Sequence, residues 1–444
     1  MSGARERLIE LYNAAVAGAD VESLTADAVA GIPLERRSRV WLFAFGKAAD
    51  GMASAAFTAL KRGLAEVAGG VVVTPEKCDA PSGAIAAHVG DHPIPGRRSF
   101  DAAARIAQTL AQKRGGDLGV VLLSGGASSL IGAPLKGLSE ADYIKLCEML
   151  VASGLDISRL NAVRKRFSMW GAGRMALALA PARTFCFAVS DVPDNDIASI
   201  GSGPCVPDHT TVQHVTEILE SAKLLNTLTP PFRQYLASVA KGATPETPNV
   251  KHPAFAHVTA RVIASNTVAL TAAASSAKRA GLVPVVSDTL LTGDAASAGM
   301  RVAASLVDAR DAHPASGPRV FLWGGETTVH LNGDSQAPAG GRCQEFALAA
   351  AQRLSELGDR ARGITILAAG TDGRDGPTDA AGAIVDATTW SRIRDAGRDP
   401  AAALRLHESH SALASVNALF SPGMTGTNVM DVTIALVQEK GDRK

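Results

Sequence analysis

The chain has 444 residues, of which 46% are apolar and 20% are charged, and its 44 basic and 43 acidic side chains leave a formal net charge of +1. This apolar content excludes a largely disordered chain, and the length fits two or three domains, of which two is our first expectation. The even charge balance and the 4% of aromatic residues exclude a general attraction to nucleic acid or to anionic membranes.

Five cysteines are spread widely along the chain, and none of them forms a CxxC pair. An odd number at such spacing predicts reduced thiols and argues against a disulfide framework or a zinc site. The first 25 residues lack the apolar core of a signal peptide, and the longest uncharged stretch, 118–135, is interrupted by glycine, serine and proline. We therefore expect a soluble cytoplasmic protein with small-molecule substrates, and we leave open whether it forms a homodimer.

Short apolar runs alternate with amphipathic stretches along most of the chain. The runs that predict strands are 39–45, 70–74, 118–123, 184–189, 258–263, 283–287, 319–323 and 363–367. The stretches that predict helices are 47–61, 139–153, 158–179, 267–280, 295–311 and 344–357. This alternation predicts a doubly wound α/β fold, in which helices cover both faces of a mostly parallel sheet. Ligands of such sheets bind beyond the carboxyl ends of the strands, so the loops after the predicted strands are candidate sites.

A proline-rich stretch at 227–257 separates the two halves, although part of it, 232–239, has a helical pattern. We expect an N-terminal α/β domain over 1–240, a linker over 241–257 and a C-terminal α/β region over 258–444. The strongly patterned segments do not repeat at a fixed period, which excludes a solenoid.

The first two candidate loops have the composition of an anion site. Lys47 follows Gly46 at the end of a predicted strand and opens a helix, where a cation opposes the helix dipole unless an anion is also bound. A solvated lysine is an equally good explanation, and the segment does not match a Walker loop. After the strand 118–123, the segment Ser124–Ser129 offers paired glycines and small hydroxyl donors, which favour a phosphate or carboxylate cradle.

Two acidic clusters follow later strands. The segment 190–196 contains Asp191, Asp194 and Asp196, and the segment 369–379 contains Asp372, Asp375 and Asp379. Magnesium ligation or a general base would explain acids at such density, whereas a solvated acidic turn is the structural alternative.

Three further features are less specific. The glycines of 324–328 and 340–342 permit close approach of a ligand, and Arg342 suits bidentate phosphate contact. The basic run 164–166 could bind an anion, but we expect a solvated helix face for at least two of its residues. His92 lies in a double-proline turn, where a structural role is favoured over catalysis. Together the cradles, cations and acids are typical of magnesium-assisted phosphoryl transfer.

The motifs resemble those of the class II glycerate kinases from about residue 5 to residue 437. In the N-terminal half the matching segments are 46–53, 90–96, 123–130, 160–165, 190–204 and 264–266. In the C-terminal half they are 324–328, 340–346, 368–386 and 425–429, and these resemble the MOFRL-type domain, placed at about 318–437. The sequence departs from the family pattern at Ala127, where a third glycine is usual, and at Cys343, where asparagine is common.

The resemblance implies a large Rossmann-like domain and a smaller α/β domain, with the active site in the cleft between them. It implies ATP-dependent phosphorylation of D-glycerate with Mg²⁺, to 2-phosphoglycerate in preference to 3-phosphoglycerate. The implied catalytic residues are Lys47, Asp191, Arg342 and Asp372, and the implied metal ligands are Asp191, Asp194, Asp372 and Asp375. ATP is expected to contact Ser124, Gly125, Gly126, Ala127, Ser128, Asn266, Gly325 and Glu326, and glycerate is expected to contact Lys47, His92, Arg164 and Arg342.

Two other functions stay open. An NAD(P)-dependent hydroxypyruvate reductase would be supported by the G-x-G-x-x-A match at 171–176, but the segment before it is charged and helix-like instead of a strand. Its glycines are better explained by close helix packing. A non-catalytic sugar-acid or nucleotide sensor would not need both acidic clusters as well as Lys47 and Arg342.

Overall fold

The computed structural model describes residues 2–312, 317–331 and 339–438. The helices are α1 (Ser2–Gly18), α2 (Val21–Ala30), α3 (Ala49–Arg62), α4 (Arg97–Leu110), α5 (Ala127–Leu130), α6 (Glu140–Ala152), α7 (Ile157–Phe167), α8 (Arg174–Leu179), α9 (Val212–Ser221), α10 (Pro230–Ala240), α11 (Asn266–Arg279), α12 (Ala295–Ala312), α13 (Arg342–Glu356), α14 (Thr389–Asp395), α15 (Pro400–Arg405) and α16 (Ser409–Ala414). The strands are β1 (Arg39–Phe45), β2 (Glu66–Thr74), β3 (Ile85–Val89), β4 (Leu118–Leu123), β5 (Arg183–Val189), β6 (Val258–Ala264), β7 (Val283–Val286), β8 (Arg319–Gly325), β9 (Ile364–Gly370), β10 (Gly382–Asp386), β11 (Leu419–Phe420) and β12 (Asp431–Val437). Within the described ranges, no helix is both long enough and apolar enough to cross a bilayer.

The chain divides into two compact units. The N-terminal unit is Val21–Ile263, and the C-terminal unit comprises the described residues of 1–20 and 264–444. The expected α/β class with two units is confirmed, but the boundaries differ from those predicted in two places. Helix α1 belongs to the C-terminal unit, and residues 241–257 belong to the N-terminal unit and do not link the two.

The sheet of the N-terminal unit has the strand order β3-β2-β1-β4-β5-β6. The pairs β2–β3, β1–β2, β1–β4 and β4–β5 are all parallel, as the alternation of strands and helices predicts. Strands β1 and β4 are buried almost throughout, because a parallel sheet covered on both faces leaves no polar face. The chain reverses its direction of travel between β1 and β4, which makes their carboxyl ends the topological switch point of the sheet.

Residues 241–257 pack on the N-terminal unit because their polar groups complete buried contacts there. Glu246 forms an ion pair with the fully buried Arg166. The hydroxyl of Thr247 donates to Asp208 at 2.9 Å, and the carbonyl of Pro248 accepts from the Asp208 amide at 2.9 Å. Prolines in this stretch therefore shape a surface segment of the unit.

The sheet of the C-terminal unit has the order β11-β10-β9-β12-β8-β7. Only its β7–β8 pair is parallel, and the other four pairs are antiparallel, so the mostly parallel arrangement predicted for this half is wrong. Two of these pairs come from β12, an unpredicted strand that lies between β8 and β9 and runs against both, and the other two come from β10, which runs against β9 and β11.

Helix α1 packs on this second sheet through an aromatic contact and two hydrogen bonds. The Tyr12 ring meets the Phe420 ring edge-on, with centroids 4.8 Å apart, and its hydroxyl donates to the Gly370 carbonyl at 2.8 Å. The Thr427 hydroxyl donates to the Ala19 carbonyl at 2.8 Å. These contacts, made from a fully buried face, explain why the first residues join the end of the chain.

Candidate active site

The loops after β1 and β4 meet at the switch point of the N-terminal sheet. The Lys47 amide donates to the Gly125 carbonyl at 2.9 Å, and the Ala48 amide donates to the Ser124 hydroxyl at 3.0 Å. Gly46 has φ +130°, and a Cβ there would lie 2.1 Å from the Ser124 hydroxyl oxygen, so only glycine allows the two loops to touch. The first two predicted loops are thus parts of one structure.

The turn of Gly125 and Gly126 presents unused backbone donors. Within the described residues, neither N–H makes a hydrogen bond, whereas the Ala127 amide donates back to the Ser124 carbonyl at 3.3 Å. Gly126 has φ +85°, a left-handed conformation that favours glycine. Two free N–H groups on a partly exposed turn form the kind of concave donor pair that binds anions.

The predicted phosphate-binding residues around this turn divide by environment. Ser124 is 2% exposed and its hydroxyl is used by the Ala48 amide, while Ala127 is fully buried in the core. The Ser128 hydroxyl shares a hydrogen bond of 2.8 Å with Ser202. The glycine amides are therefore the donors that a ligand could reach most directly.

Three basic side chains surround the turn. A Cβ on Gly126 would lie 3.1 Å from His92 Cδ2 and 3.6 Å from Lys47 Cγ, which places both side chains beside the glycine. Burial lowers the pKa of His92, and the positive charges of Lys47 and Arg164 lower it further. Both effects favour the neutral form of the His92 imidazole.

Arg164, the third of these groups, extends from α7. One Nη donates to the Asn161 side-chain oxygen, whereas its Nε is buried with no hydrogen-bond partner in the described structure. Burial lowers the pKa of this guanidinium. An under-partnered cation beside the donor turn strengthens the field that attracts an anion.

Among the described residues, Asp191 places a carboxylate against the turn. It follows β5, and a Cβ on Gly125 would lie 2.2 Å from its Oδ2, so a side chain at position 125 would collide with the carboxylate. Burial raises the pKa of Asp191, while its own backbone N–H and the charge of Lys47 act in the opposite direction. The arrangement places a proton acceptor next to an anion cradle.

The other acids of the first acidic cluster do not gather around the turn. Asp196 accepts hydrogen bonds from the Ala198 amide at 3.0 Å and the Ser199 hydroxyl at 2.6 Å, as a turn-capping residue does. Asp194 is exposed and has φ 59°. Its metal-binding role stays a prediction.

The expectation of a solvated basic face at 164–166 is wrong. Lys165 is 6% exposed and pairs with Asp208 at 2.8 Å, and Arg166 is 0% exposed. Because buried cations need partners, the sequence places Asp208 and Glu246 against them. Of this run, Arg164 is the residue whose charge acts on His92 beside the turn.

The G-x-G-x-x-A segment is a helix cap. Arg174 donates through Nη1 to the carbonyls of Lys165, Ser168 and Gly171 and through Nη2 to that of Arg166, which satisfies the free carbonyl groups at the end of α7. A Cβ on Gly173 would lie 2.6 Å from the Phe255 ring. The glycines serve packing, and the preceding element is a helix.

In the C-terminal unit, Arg342 lies at the start of α13 in a network of carboxylates. Its Nε and Nη2 donate to the two oxygens of Asp431 at 2.6 and 2.8 Å, and its Nη1 lies 3.1 Å from Glu326. Burial alone would lower the pKa of Arg342, but its bonds with Asp431 raise it above the ordinary value. Glu326, predicted to contact ATP, is thus an acid paired with Arg342.

Asp375, predicted as a metal ligand, is instead the cap of α13. One carboxylate oxygen accepts from the Cys343 amide at 3.1 Å, and the other accepts from the Gln344 amide at 2.9 Å. The residue is 2% exposed, and burial raises its pKa to about 6 against the effect of these bonds. Both oxygens already have donors, so a metal role is not supported.

Asp372 is better placed than Asp375 to act on a ligand. It is only partly buried, and in the described structure its carboxylate accepts one hydrogen bond, from the Arg374 amide at 3.0 Å. A Cβ on Gly370 would lie 3.0 Å from Asp372 Oδ1 and 3.6 Å from Asp431 Oδ1, so the two carboxylates flank this glycine.

Asn266 and Gly325, both predicted to contact ATP, are used by the fold. The Asn266 amide donates to the carbonyls of Val429 and Asp431 at 2.9 and 2.8 Å, and the side chain is 2% exposed. Gly325 has φ +139°, and a Cβ there would lie 2.2 Å from the Leu291 carbonyl oxygen. Asn266 therefore fastens α11 to β12 and is inaccessible to a nucleotide.

Two residues of this region were not predicted. Asp431 holds Arg342 in a bidentate pair, and Tyr12 binds the last residue of β9, Gly370. The signal for Asp431 is an acid at the first position of a mostly apolar run, shortly after the matched segment 425–429. Tyr12 has no comparable signal, because its contact is 358 residues distant in sequence.

Metal ligands are sparse in the described structure. Its histidine, cysteine, aspartate and glutamate side chains form no group of three or more that could hold a metal ion. A protein-built cage is therefore not present among these residues, whereas a carboxylate that completes the shell of a nucleotide-bound ion is compatible with Asp191 or with Asp372.

Two family models match this chain. Residues 7–237 match a domain described as a domain of unknown function, DUF4147, and residues 319–431 match the MOFRL family. A protein of Thermotoga maritima named D-glycerate 2-kinase is 35% identical over 91% of this chain and 92% of its own length. The chain belongs to the class II glycerate kinase family.

Other members of this family carry two kinds of name. A protein of Agrobacterium vitis, named provisionally as a hydroxypyruvate reductase, is 39% identical over 83% of this chain and 92% of its own length. A crystal structure of glycerate kinase from Thermotoga maritima superposes with a TM-score of 0.86 at 32% identity, covering 98% of this chain and 100% of that one. The likeness extends over the whole family fold, so both activities have to be compared with the site.

Proposed function

We propose that this chain is an ATP-dependent glycerate 2-kinase, which transfers the γ-phosphoryl group of ATP to the 2-hydroxyl of D-glycerate. The observation that carries the proposal is the switch-point turn, where the free amides of Gly125 and Gly126 lie beside Lys47. Phosphoryl transfer needs donors and cations fixed around charge that spreads over the phosphoryl oxygens, and this turn supplies both.

The residues around the turn have distinct proposed roles. Lys47 and the two glycine amides hold the phosphoryl oxygens. Asp191, whose pKa is raised by burial, accepts the proton of the attacking hydroxyl. Arg164 and the neutral His92 bind the carboxylate and a hydroxyl of glycerate, since one is a cation and the other is a donor-acceptor group.

In the C-terminal unit, Arg342 is a second candidate oxyanion-binding group. Asp431 fixes its guanidinium plane through two bonds, and Glu326 lies 3.1 Å from its Nη1. Asp372 is the proposed carboxylate for Mg²⁺ in this unit, and Asp191 is the proposed one in the other. When bound, Mg²⁺ neutralises charge on the nucleotide phosphates.

A hydroxypyruvate reductase is the second candidate, favoured by the name of the Agrobacterium relative. The site gives it less support. The turn after β1 reads Gly46-Lys47-Ala48-Ala49 instead of a glycine-rich dinucleotide fingerprint, and the G-x-G-x-x-A segment follows helix α7. A lysine at this turn can stabilise the charge of a phosphoryl group during its transfer. A dinucleotide site instead needs glycines there, so that the pyrophosphate can approach the backbone closely.

Two assays separate the candidates. Purified protein with ATP, Mg²⁺ and D-glycerate should release ADP in a coupled assay, and it should not oxidise NADH or NADPH with hydroxypyruvate above a blank. Phosphorus NMR of the product should show 2-phosphoglycerate, whereas 3-phosphoglycerate would establish the alternative regiochemistry. NADH oxidation without ADP release would reject the kinase.

A further inference from the structure

A cavity lies at one end of the C-terminal sheet, away from Arg342. Its volume is about 210 Å³, and its polar lining includes Arg5, Thr365, Asp386, Arg392 and Asn417. A space that can hold several water molecules has room for a small anion.

Strand register separates this cavity from the candidate site. Asp386 pairs with Thr365 across β10 and β9, whereas Gly370, at the other end of β9, pairs with Asp431. Five residues of extended strand span about 16 Å, so the cavity is not part of the Arg342–Asp431 cluster.

Two arginines converge on the cavity from different elements. Arg5 on α1 donates from Nη2 to the Leu419 carbonyl at 2.9 Å, and Arg392 on α14 donates from Nη2 to the Val416 carbonyl. Each guanidinium therefore donates from one nitrogen to a backbone carbonyl, and its other N–H groups can donate to another acceptor.

The two guanidinium groups act on each other as like charges. Partial burial lowers the pKa of Arg5, and the positive charge of Arg392 lowers it further. In the described part of the chain, neither arginine has a carboxylate oxygen within 4.0 Å of its side-chain nitrogens, unlike Arg360 or Arg342. Two partly buried cations without a counter-ion are costly unless an anion binds between them.

Asp386 does not supply that counter-ion. Its Oδ1 accepts from the Thr388 amide at 2.8 Å, from the Thr388 hydroxyl at 2.8 Å and from the Thr389 hydroxyl at 3.2 Å. This oxygen caps the first turn of α14, and in the described structure neither carboxylate oxygen of Asp386 lies within 4.0 Å of a side-chain nitrogen of Arg5 or Arg392.

We propose that this cavity binds a small oxyanion, a phosphate or carboxylate group of a metabolite, between Arg5 and Arg392. The planar guanidinium groups take the oxygens through paired N–H donors, and Thr365 and Asn417 line the rim. The inference is independent of the proposed kinase activity.

Hydrogen exchange of the full-length protein tests the proposal, with inorganic phosphate as the probe and chloride at equal ionic strength as the reference. Phosphate at about 50 mM should slow amide exchange in 386–392 and 416–420 by at least ~3-fold, because a ligand that binds only the folded state suppresses local opening. The double variant Arg5→Gln with Arg392→Gln should lose this protection. Arg7→Gln should keep it, because Arg7 lies on the same helix, is exposed and pairs with Glu10.

Hydrogen exchange is measured for each segment separately, so binding at this cavity can be told apart from binding at the switch-point turn. Phosphate bound at that turn would protect residues 124–130 instead. If the double variant unfolds, Arg392→Gln alone should weaken the protection and Arg392→Lys should retain part of it. A parallel titration with malonate distinguishes a carboxylate ligand from a phosphate ligand. Equal protection in wild type and double variant, or no protection in wild type with either anion, would overturn the proposal.

Discussion

Lys47 is the side chain on which the proposed chemistry depends most directly. It is exposed beside Gly126, so its truncation creates no buried cavity. We expect Lys47→Ala to keep its melting temperature and to lose at least ~100-fold in kcat, the effect of removing about 2–4 kcal/mol of transition-state stabilisation. Lys61→Ala, an exposed lysine in the last turn of α3, is the matched control. Near-normal kcat in a folded Lys47→Ala protein would contradict the assignment.

His92 offers a test that does not depend on turnover. Burial lowers its pKa most, and the charges of Lys47 and Arg164 lower it further, so an anion that neutralises these two charges should raise it. Histidine chemical shifts followed by NMR through a pH titration should show the His92 pKa rising on addition of ATP with glycerate. The exposed His214 on α9 serves as the internal control. A His92 pKa that stays unchanged in saturating ligand would place the anion elsewhere.

The sequence predicts a residue's role correctly where the role depends on neighbouring residues. It fails where the role depends on partners that are distant in the chain. Lys47, Gly125 and Gly126 occupy loops whose composition already indicates close approach, and the structure brings them together. Asn266 and Asp375 look equally functional in sequence, but both make structural hydrogen bonds. Their partners at 429–431 and 343–344 are distant in sequence, so only the tertiary structure shows this role.

At the scale of single elements, the start of α13 shows how one carboxylate orders a helix that carries Arg342. Asp375→Ala would leave the two buried amides of Cys343 and Gln344 without an acceptor and would remove one of the acceptors of the Gln344 side chain. We therefore expect a loss of about 1–3 kcal/mol in the free energy of unfolding. Asp379→Ala, an exposed acid in the same loop, should change stability little. Chemical denaturation measures both. If Asp375→Ala shifts the magnesium requirement without lowering stability, the residue is a ligand and not a cap.

The same residue predicts a pH dependence with a definite sign. The pKa of Asp375 is about 6 in the folded protein and 3.8 in the reference state, so the folded protein binds the proton more tightly. Its contribution to stability is therefore largest below pH 4 and falls as the pH rises from about 4 to 6. The stability difference between wild type and Asp375→Ala should shrink across that interval. A difference that grows with pH would show that the helix amides outweigh burial.

Strands were predicted better than their directions. Strands β1 and β4 can be recognised in the sequence as continuous apolar runs, because both faces of the first sheet are covered. The direction of β12 is set by its pairing with β8 and β9, whose residues lie far apart in the chain, and no local pattern encodes that pairing. Helix α7 was predicted to run on through 179, but the Gly171–Arg174 segment ends it with side-chain capping.

At the scale of the whole molecule, chain order and unit membership are not the same. The N-terminal unit is continuous over Val21–Ile263, whereas the C-terminal unit takes its first helix from the opposite end of the chain. Each unit has its own apolar core, one built around Phe43, Phe45 and Leu123 and the other around Phe346, Ile366 and Ala435. A substitution in α1 should therefore destabilise the core of the C-terminal unit.

Tyr12 makes this prediction specific. The residue is 1% exposed, contacts Phe420 and donates to Gly370, so Tyr12→Ala removes a buried aromatic ring at a cost of about 3–5 kcal/mol. Tyr12→Phe keeps the ring and should cost only about 1 kcal/mol, the worth of the hydrogen bond. In hydrogen exchange, Tyr12→Ala should accelerate amide exchange in β9, β11 and β12, while β1 and β4 keep wild-type protection. Because α1 precedes the N-terminal unit in the chain, faster exchange in β1 and β4 with unchanged β9 would show that sequence proximity, and not the observed packing, decides which core the helix stabilises.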